Sequence, residues 1–348
     1  MPPSAADRLV KQSRLAAIRA SIRAHALLLT SHEAIGWYLD GIRTHVSLAG
    51  PPAIAVIAAD DGDTLFVAAN EADRLAAEEL LPADADRMIR VPWQTPPAVA
   101  AAAARASVPE SEAAAALRAA RASLLPDEAA RYRALGRETA EALTDAAPLL
   151  RPDTTERGAA ATLADLLVRR GIDPLVLLVA GAPRLAHRHP LPTDGPLGER
   201  AMLVVCGRRH GLIANATRWV GAAGADDDRI LEVEAGFLAA TRPGTRLNAA
   251  FAAGCRAYAA AGFEPDEWQR HHQGGPTGYA GRDPRATADT ADLIVEQQAF
   301  AWNPSAPGAK VEDTVLIGTG GAEVLTVDPC WPTVTHAGLD RPTARPFD

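Results

Sequence analysis

Hydrophobic residues switch between helical and strand spacing along the amino-terminal part of the chain. Leu9, Leu15 and Ile18 recur at helical spacing and predict a first helix over residues 6–25. The run AHALLLTS predicts a buried strand, and PAIAVIAADDGDTLFVAAN predicts two strands joined by an Asp-Gly-Asp turn. The segments HEAIGWYLDG and EADRLAAEELL predict helices, and DRMIRVPW predicts a further strand. This alternation predicts a small α/β domain over about residues 1–105.

An alanine-rich stretch follows over residues 97–122. Because alanine has the highest helix propensity, the stretch predicts a helical connector and not a flexible linker. Pro126 and Asp127 then mark the start of another helix. We therefore predict two domains, residues 1–120 and residues 121–348.

The second predicted domain contains a long internal repeat. Residues 151–174 and 242–265 both open with Arg-Pro-x-Thr, and both end with Gly, an apolar residue, an acid and Pro. The two copies are 91 residues apart, and each follows an amphipathic segment. Two long copies predict two halves related by a pseudo-twofold, since a solenoid needs three or more short repeats. The alternative is a coincidence between alanine-rich helices.

Residues 202–218, MLVVCGRRHGLIANATR, predict a β-hairpin. An apolar run enters a turn that contains Gly207 and Gly211, and a second run ends in Asn-Ala-Thr-Arg. Arg208 and Arg209 crowd the turn, and the most economical interpretation of both is a solvated turn. Cys206 lies in the apolar run, which favours a buried small residue over a nucleophile.

The order helix pair, sheet, helix pair, sheet behind a small α/β domain resembles the creatinase, aminopeptidase P and methionine aminopeptidase family. Four segments carry the resemblance, in the family's order: AGAPRLAHRHPLPTDGPL, GLIANATRWV, HHQGGPTGY and AWNPSAPGAKVEDTVLIGTGGAEVLT. They resemble the family's Pro-Thr-Asp segment, its Ser-Asp-x-Thr-Arg strand, its His-Gly-x-Gly-His loop and its Glu-Pro-Gly to Glu-x-Leu-Thr ending. The resemblance covers nearly the whole chain. It implies an α/β (α+β) fold with a creatinase-like amino-terminal domain and a pseudo-twofold pita-bread domain.

Family peptidases hold two metal ions with two Asp, one His and two Glu, because anionic oxygens must balance four positive charges. The equivalent positions here are Val204-Val205-Cys206 for the first Asp, Asn215 for the second, His271 or His272 for the His, Asn303 for the first Glu and Glu312 for the second. Only Glu312 keeps its carboxylate. Because carboxamide oxygens are neutral and weak ligands, we expect no dinuclear centre, no bound metal and no cofactor.

The resemblance to creatinase, which works without metal through a histidine base, implies that His189 in HRHPLPTD is the base here. A histidine with a pKa near 6.5 can exchange protons at neutral pH. The expected catalytic residues are His189, His271, His272 and Glu312, and the expected substrate-binding residues are Asn215, Asn303, Arg218 and His210. Purely structural roles stay open for all of them, such as a polar loop for the histidine pair or a strand end for Arg218.

The resulting interpretation is a metal-independent, creatinase-like hydrolase or lyase that acts on a C–N bond of a small polar molecule. Two alternatives remain open: a metal-dependent Xaa-Pro aminopeptidase or dipeptidase, and a catalytically silent pita-bread binding protein. Bound metal would distinguish the metal-dependent peptidase from the other two interpretations. Turnover of any substrate would exclude the silent binding protein. Creatinase-like proteins commonly pair so that one subunit's amino-terminal domain borders the other's pocket, which implies a homodimer.

Charge and composition narrow the classes of partner. The net charge of −8 argues against nucleic acid as the main partner, because binding phosphates needs a basic face. The three cysteines fit neither a disulfide framework nor a zinc ribbon. The sequence has no apolar core for a signal peptide and no apolar run of about 18 residues. We therefore expect a cytoplasmic protein with a small-molecule substrate and no membrane partner.

Overall fold

The computed structural model describes residues 3–348, which divide into two compact units. The first unit comprises residues 3–131 and 210–212, and the second comprises residues 132–209 and 213–348. The division falls within one long helix, Pro126–Ala146.

The first unit is built around a mixed five-stranded sheet with the order β4-β3-β2-β1-β5. Its strands are β1 (Ala26–Leu29), β2 (Ile54–Ala59), β3 (Gly62–Ala68), β4 (Met88–Val91) and β5 (Val108–Pro109). Its helices are α1 (Ala5–Ser21), α2 (His32–Tyr38), α3 (Ala72–Glu78), α4 (Pro82–Ala85), α5 (Pro97–Ala104) and α6 (Ala114–Ala122). The first helix, the buried strand and the hairpin expected from the sequence are confirmed. β2 and β3 pair antiparallel from Ile54 opposite Val67 to Ala59 opposite Gly62.

The alanine-rich stretch differs from the continuous helical connector expected from composition. It forms α5 and α6, and between them β5 adds to the sheet parallel to β1. Pro109 explains the interruption, because proline lacks a backbone N–H and clashes with the preceding turn of a helix. Alanine propensity alone therefore predicted the helices and missed the short strand between them.

The second unit contains two helix pairs, each followed by a sheet. Its helices are α7 (Pro126–Ala146), α8 (Glu156–Arg169), α9 (Asp227–Ala240) and α10 (Leu247–Ala260). Its strands are β6 (Asp173–Gly181), β7 (Arg200–Arg209), β8 (Leu212–Gly221), β9 (Gly274–Pro276), β10 (Gln298–Trp302), β11 (Ser305–Ala306), β12 (Ala309–Lys310), β13 (Val315–Gly318), β14 (Gly321–Val324), β15 (Thr333–His336) and β16 (Leu339–Pro342). The two main sheets have the orders β6-β7-β8 and β14-β13-β10-β9.

The internal repeat of the sequence corresponds to a repeat of structure. Helices α8 and α10 have 14 residues each and occupy the same positions within the two copies. Each is the second helix of its pair, and each precedes the sheet of its half. The coincidence interpretation is therefore wrong, because unrelated helices would not begin and end in register.

Helices α9 and α10 pack closely because two positions between them, Gly236 and Gly254, carry no side chain. A Cβ added at Gly254 on α10 would lie 2.1 Å from the Phe237 ring on α9. Phe237 in turn stacks on Trp302 of β10, with ring centroids 4.6 Å apart. Glycine at this position thus lets the aromatic core form between the helix pair and the second sheet.

The two sheets of the second unit meet along one edge. Ala216 on β8 forms a bridge with Asp313, just before β13, and the Thr217 amide donates a 2.8 Å hydrogen bond to the Glu312 carbonyl. This junction places side chains from β7 and β8 beside those that precede β13. None of the helices in residues 3–348 combines the length and apolarity that crossing a lipid bilayer requires.

Candidate active site

The second unit contains a cavity of about 690 Å³, within the usual size range of small-molecule pockets. One wall is apolar and comes mainly from β6 and β7, whereas the opposite side carries polar and charged groups. The lining residues are Leu175, Val176, Leu177, Leu178, His189, Leu191, Val204, Cys206, Ile213, Asn215, His272, Gly281, Arg282, Arg285, Asn303, Lys310 and Glu312. Five of the eight predicted site residues therefore border one space.

Glu312 is held between two cations. One carboxylate oxygen accepts from Arg282 Nη2 at 2.5 Å, and the other lies 3.1 Å from Lys310 Nζ. Thr217 Oγ1 lies 3.4 Å from the same carboxylate. Burial raises the pKa of the Glu312 carboxyl, but Lys310 and Arg282 outweigh burial and leave that pKa below its ordinary value. Glu312 is therefore ionised and already neutralised by protein groups.

The two asparagines at the other ligand positions behave differently. Asn215 is fully buried, accepts from Arg282 Nη1 at 3.1 Å and donates to Thr277 Oγ1 at 3.2 Å. Asn303 is also buried, yet its side-chain amide makes no hydrogen bond with any residue from 3 to 348. A buried polar atom without a partner is costly, so the Asn303 oxygen is available to accept a hydrogen bond from a group bound in the cavity.

The position of the family's first Asp carries no acid. Val204 and Cys206 both face the cavity, since alternate residues of a strand share one side. Burial raises the pKa of the Cys206 thiol to about 12. At neutral pH the thiol is therefore protonated and a poor nucleophile, as expected for an apolar strand position.

The three histidines form a cluster at one end of the cavity. His271 Nε2 lies 3.0 Å from His189 Nε2, and the ring centroid of His272 lies 4.5 Å from that of His271. On the far side of His271, Ser305 Oγ lies 3.2 Å from Nδ1, and Arg188 Nη1 donates to the same hydroxyl at 3.1 Å. Arg188 also pairs with Glu267. Ser305 and Arg188 thus hold the His271 ring on the side away from the cavity, while His189 and His272 line the cavity.

All three imidazoles are neutral at pH 7. Burial, reinforced by Lys310, lowers the pKa of His189 and lowers that of His271 to about 2. Burial, together with Arg282 and Arg285, lowers the pKa of His272 to about 4. A neutral imidazole can accept a proton. His189 Nε2 is engaged with His271, so Nδ1, which has no partner among the described residues, is its available nitrogen.

Two predicted substrate-binding residues lie elsewhere. Arg218 is buried and donates to Asp313 at 2.9 Å and to the carbonyls of Thr217 and Thr326, so its guanidinium serves the fold. His210 occupies the turn between β7 and β8 with a positive φ of 52°, among the residues of the first unit. Neither residue lines the cavity. Their neighbours in sequence suggest a place in the site, but the strand and the turn direct both side chains away from the pocket.

Three cations in the cavity were missed by sequence reasoning: Arg282, Arg285 and Lys310. Lys310 had a usable signal, because it lies two residues before Glu312 and such residues in extended chain share one side. Arg282 and Arg285 follow the Gly-Tyr end of the histidine loop and belong to no motif. Their place in the site depends on how residues 281–285 turn back towards Glu312.

A dinuclear metal centre does not fit this donor set. Such a centre needs several carboxylates, and the one acid at the ligand positions, Glu312, already contacts Arg282 and Lys310. The three histidines have ligand nitrogens within 4.8 Å of one another. However, the positive charges of Lys310, Arg282 and Arg285 act on these rings and oppose a further cation there.

Comparison with known protein families identifies the family of this chain. A family model described as Metallopeptidase family M24 matches residues 130–319, more than half of the chain. The chain belongs to this family. No curated protein matches the sequence at a significant level.

Several solved structures share the fold of this M24 protein. Dipeptidase PepE from Mycobacterium ulcerans is 18% identical, with a TM-score of 0.76 and all of both chains covered. The prolidase from Pyrococcus horikoshii OT3 is 16% identical, with a TM-score of 0.72 over 91% of this chain and 98% of that one. The N-terminal domain of FACT complex subunit SPT16 from Cicer arietinum is 12% identical, with a TM-score of 0.66 over 92% and 97%. The expectation of a creatinase-like α/β domain followed by a pita-bread domain is confirmed.

Proposed function

We propose that this M24 protein is a metal-independent hydrolase that cleaves a C–N bond of a small polar molecule bound in the 690 Å³ cavity. The observation that carries the proposal is the environment of Glu312. At the position where a metallopeptidase would place an acid between two metal ions, this carboxylate lies between Arg282 and Lys310. Arg282 and Lys310 thus supply the positive charge that metal ions would supply in a metallopeptidase.

The groups around the cavity divide the chemistry of amide hydrolysis among them. His189 Nδ1 takes a proton from water as the water oxygen bonds to the carbonyl carbon. Arg282 and Lys310 stabilise the negative charge that develops on the carbonyl oxygen. When the C–N bond breaks, the proton on His189 passes to the leaving nitrogen, so water adds across the bond with no other reactant. Through its bond to Nε2, His271 keeps the His189 ring oriented.

A conventional metal-dependent Xaa-Pro peptidase is the second candidate. The family match and the prolidase and dipeptidase titles of the neighbouring structures favour it. It would require ions to displace Arg282 and Lys310 from Glu312. A third candidate, a silent binding protein, draws support from the SPT16 neighbour, whose title names a complex subunit.

The test combines metal content with turnover. After dialysis against Mn, Co, Zn or Fe and removal of free metal, elemental analysis should find far less than one equivalent. A panel of amide, amidino and Xaa-Pro substrates should reveal an activity that survives chelators. His189→Ala should lower kcat/KM about 10²–10⁴-fold, whereas the matched change His187→Ala, at an exposed position two residues away, should leave it unchanged.

Each failure has a separate meaning. Two bound equivalents of metal, with activity lost on chelation, would establish the conventional peptidase. Full activity in His189→Ala, with loss in His272→Ala, would move the base to the histidine loop. No turnover of any substrate by the wild type would favour the silent binding protein. We also propose a homodimer, and a monomer mass in light scattering at micromolar concentration would contradict it.

A further inference from the structure

The cavity carries more positive than negative charge. Three of its lining residues are cations, Arg282, Arg285 and Lys310, and Glu312 is its one acid. Glu312 pairs with Arg282 and Lys310, whereas Arg285 is exposed and its guanidinium makes no hydrogen bond or ion pair with any residue from 3 to 348. An unpaired guanidinium at the edge of a pocket is a ready site for a carboxylate, which it can bind with two parallel hydrogen bonds.

The deep side of the cavity offers a different contact. Asn303 is buried there, its side-chain Oδ1 accepts no hydrogen bond, and the Arg282 Nε and His272 Nδ1 atoms are also buried and unpartnered. A primary amide can donate and accept at once, as can the secondary amide of a ligand. Asn303 is therefore suited to pair with an amide group of a ligand through two hydrogen bonds.

The remaining wall is aliphatic and open. Leu175 and Val176 are each 36% exposed and Leu191 is 71% exposed, and all three line the cavity with Leu177 and Leu178. A register shift in β6 between Pro174 and Val176 lets neighbouring residues face the same space. Exposed apolar side chains at a pocket favour an aliphatic group on the ligand.

The same charges exclude an ammonium group from the inner part of the cavity. Glu312 is the one cavity acid that could receive it, and its oxygens already contact Arg282 and Lys310. An incoming ammonium would meet two like charges at short range in a partly buried space. A free dipeptide or aminopeptidase substrate, which must place an amine beside its scissile amide, is therefore disfavoured.

The geometry points to an N-acylated aliphatic amino acid as the ligand: one carboxylate on Arg285, one secondary amide on Asn303, an aliphatic side chain on the β6 wall, and no ammonium. This inference rests on the proposed function for the bond that is cleaved, but the recognition itself requires no turnover. The inferred difference between this protein and relatives that act on free peptides is the charge of the pocket, and it does not depend on bound metal.

Isothermal titration calorimetry with three leucine compounds tests the inference on the intact protein. N-acetyl-L-leucine should bind at least about tenfold more tightly than glycyl-L-leucine, which adds an ammonium, and than N-acetyl-L-leucinamide, which lacks the carboxylate. Arg285→Gln should reduce N-acetyl-L-leucine to the affinity of the leucinamide and leave the leucinamide unchanged. Arg256→Gln, at an exposed arginine outside the cavity, is the matched control and should change neither.

The outcomes distinguish recognition from catalysis. Tighter binding of glycyl-L-leucine, absence of N-acetyl-L-leucine binding at millimolar concentration, or equal loss in the Arg285 and Arg256 variants would overturn the inference. Binding with the stated order, but without release of leucine, would support the inference while contradicting the proposed hydrolysis. An unchanged melting temperature in each variant confirms that the fold is intact.

Discussion

Glu312 and Asp313 are neighbouring buried acids, each 2% exposed, and they face different surroundings. Asp313 contacts Arg218 and Arg341 at 2.9 Å and accepts from Thr326 Oγ1 at 2.6 Å. The free space beside it is about 10 Å³, at or below the minimum that holds one water molecule. Glu312 also contacts two cations, but these border the 690 Å³ cavity. Burial and ion pairing are thus common to both acids, and the adjacent space distinguishes a binding site from a structural network.

The network around Asp313 continues to a second buried acid. Arg341 contacts Asp313 and also donates to both oxygens of Glu234, at 2.6 and 2.7 Å. Burial raises the pKa of the Glu234 carboxyl, while Arg341 opposes that effect. One guanidinium therefore compensates two buried acids from different elements, α9 and the segment before β13.

Removal of that guanidinium should have the largest effect on stability. Arg341→Met leaves Glu234 and Asp313 without their shared cation and should lower the free energy of unfolding by about 3–5 kcal/mol. Arg133→Met, which breaks an exposed pair with Glu323, should cost at most about 1 kcal/mol. Urea denaturation measures both. A loss below about 1 kcal/mol for Arg341→Met would show that the Asp313 network is not structural.

Acid should lower the free energy of unfolding through the cavity histidines, by less than Arg341→Met does. His271 and His272 have pKa values of about 2 and 4 in the folded protein, below the ordinary value for an unfolded histidine. Between pH 7 and 5.5 the unfolded chain therefore binds more protons than the folded one, and stability falls as pH falls. Each ring should contribute about 1 kcal/mol over this interval.

The matched variants for this test are His272→Asn and His187→Asn. Urea denaturation at pH 7 and pH 5.5 should show a shallower pH dependence for His272→Asn, by about 1 kcal/mol. The exposed change His187→Asn should retain the wild-type dependence. Equal pH dependence in wild type and His272→Asn would mean that His272 is not held neutral by the fold.

The smallest effect should be a gain in stability at Asn303. Because its buried amide has no partner, Asn303→Leu removes an unsatisfied group and should raise the free energy of unfolding by up to about 1 kcal/mol. Asn215→Leu should instead lower it by about 1–3 kcal/mol, since it removes one acceptor of the buried Arg282 guanidinium and the donor to Thr277 Oγ1. A destabilised Asn303→Leu would indicate that the amide supports the fold and not a ligand.

Patterns of residues along the chain predicted much of the fold. The 91-residue repeat predicted equivalent helices, and α8 and α10 have the same length and register. The hairpin of residues 202–218 corresponds to β7 and β8, whose left-handed turn residues His210 and Gly211 suit a tight reversal. Composition was less reliable for the connector, where Pro109 and a parallel partner strand outweighed alanine propensity.

Local patterns could identify substitutions at the site but not the groups that replaced the lost ligands. The absence of acids within Val204-Val205-Cys206 and at Asn215 and Asn303 can be read against the family pattern, because each position lies within a recognisable segment. The place of Arg218 beside that pattern suggests contact with a substrate, yet its side chain leaves the strand on the side of Asp313. Alternation along a strand decides this, and a shift of one residue reverses it.

The family, the two-half architecture and the absence of a full set of carboxylate ligands follow from residue identity and spacing along the chain. Which charged side chains meet becomes visible only in the folded protein. Arg282 lies 30 residues before Glu312 and belongs to no motif, but the turn of residues 281–285 brings its guanidinium within 2.5 Å of that carboxylate. The physical reason is that an ion pair depends on distance through space, and chain separation does not reveal that distance.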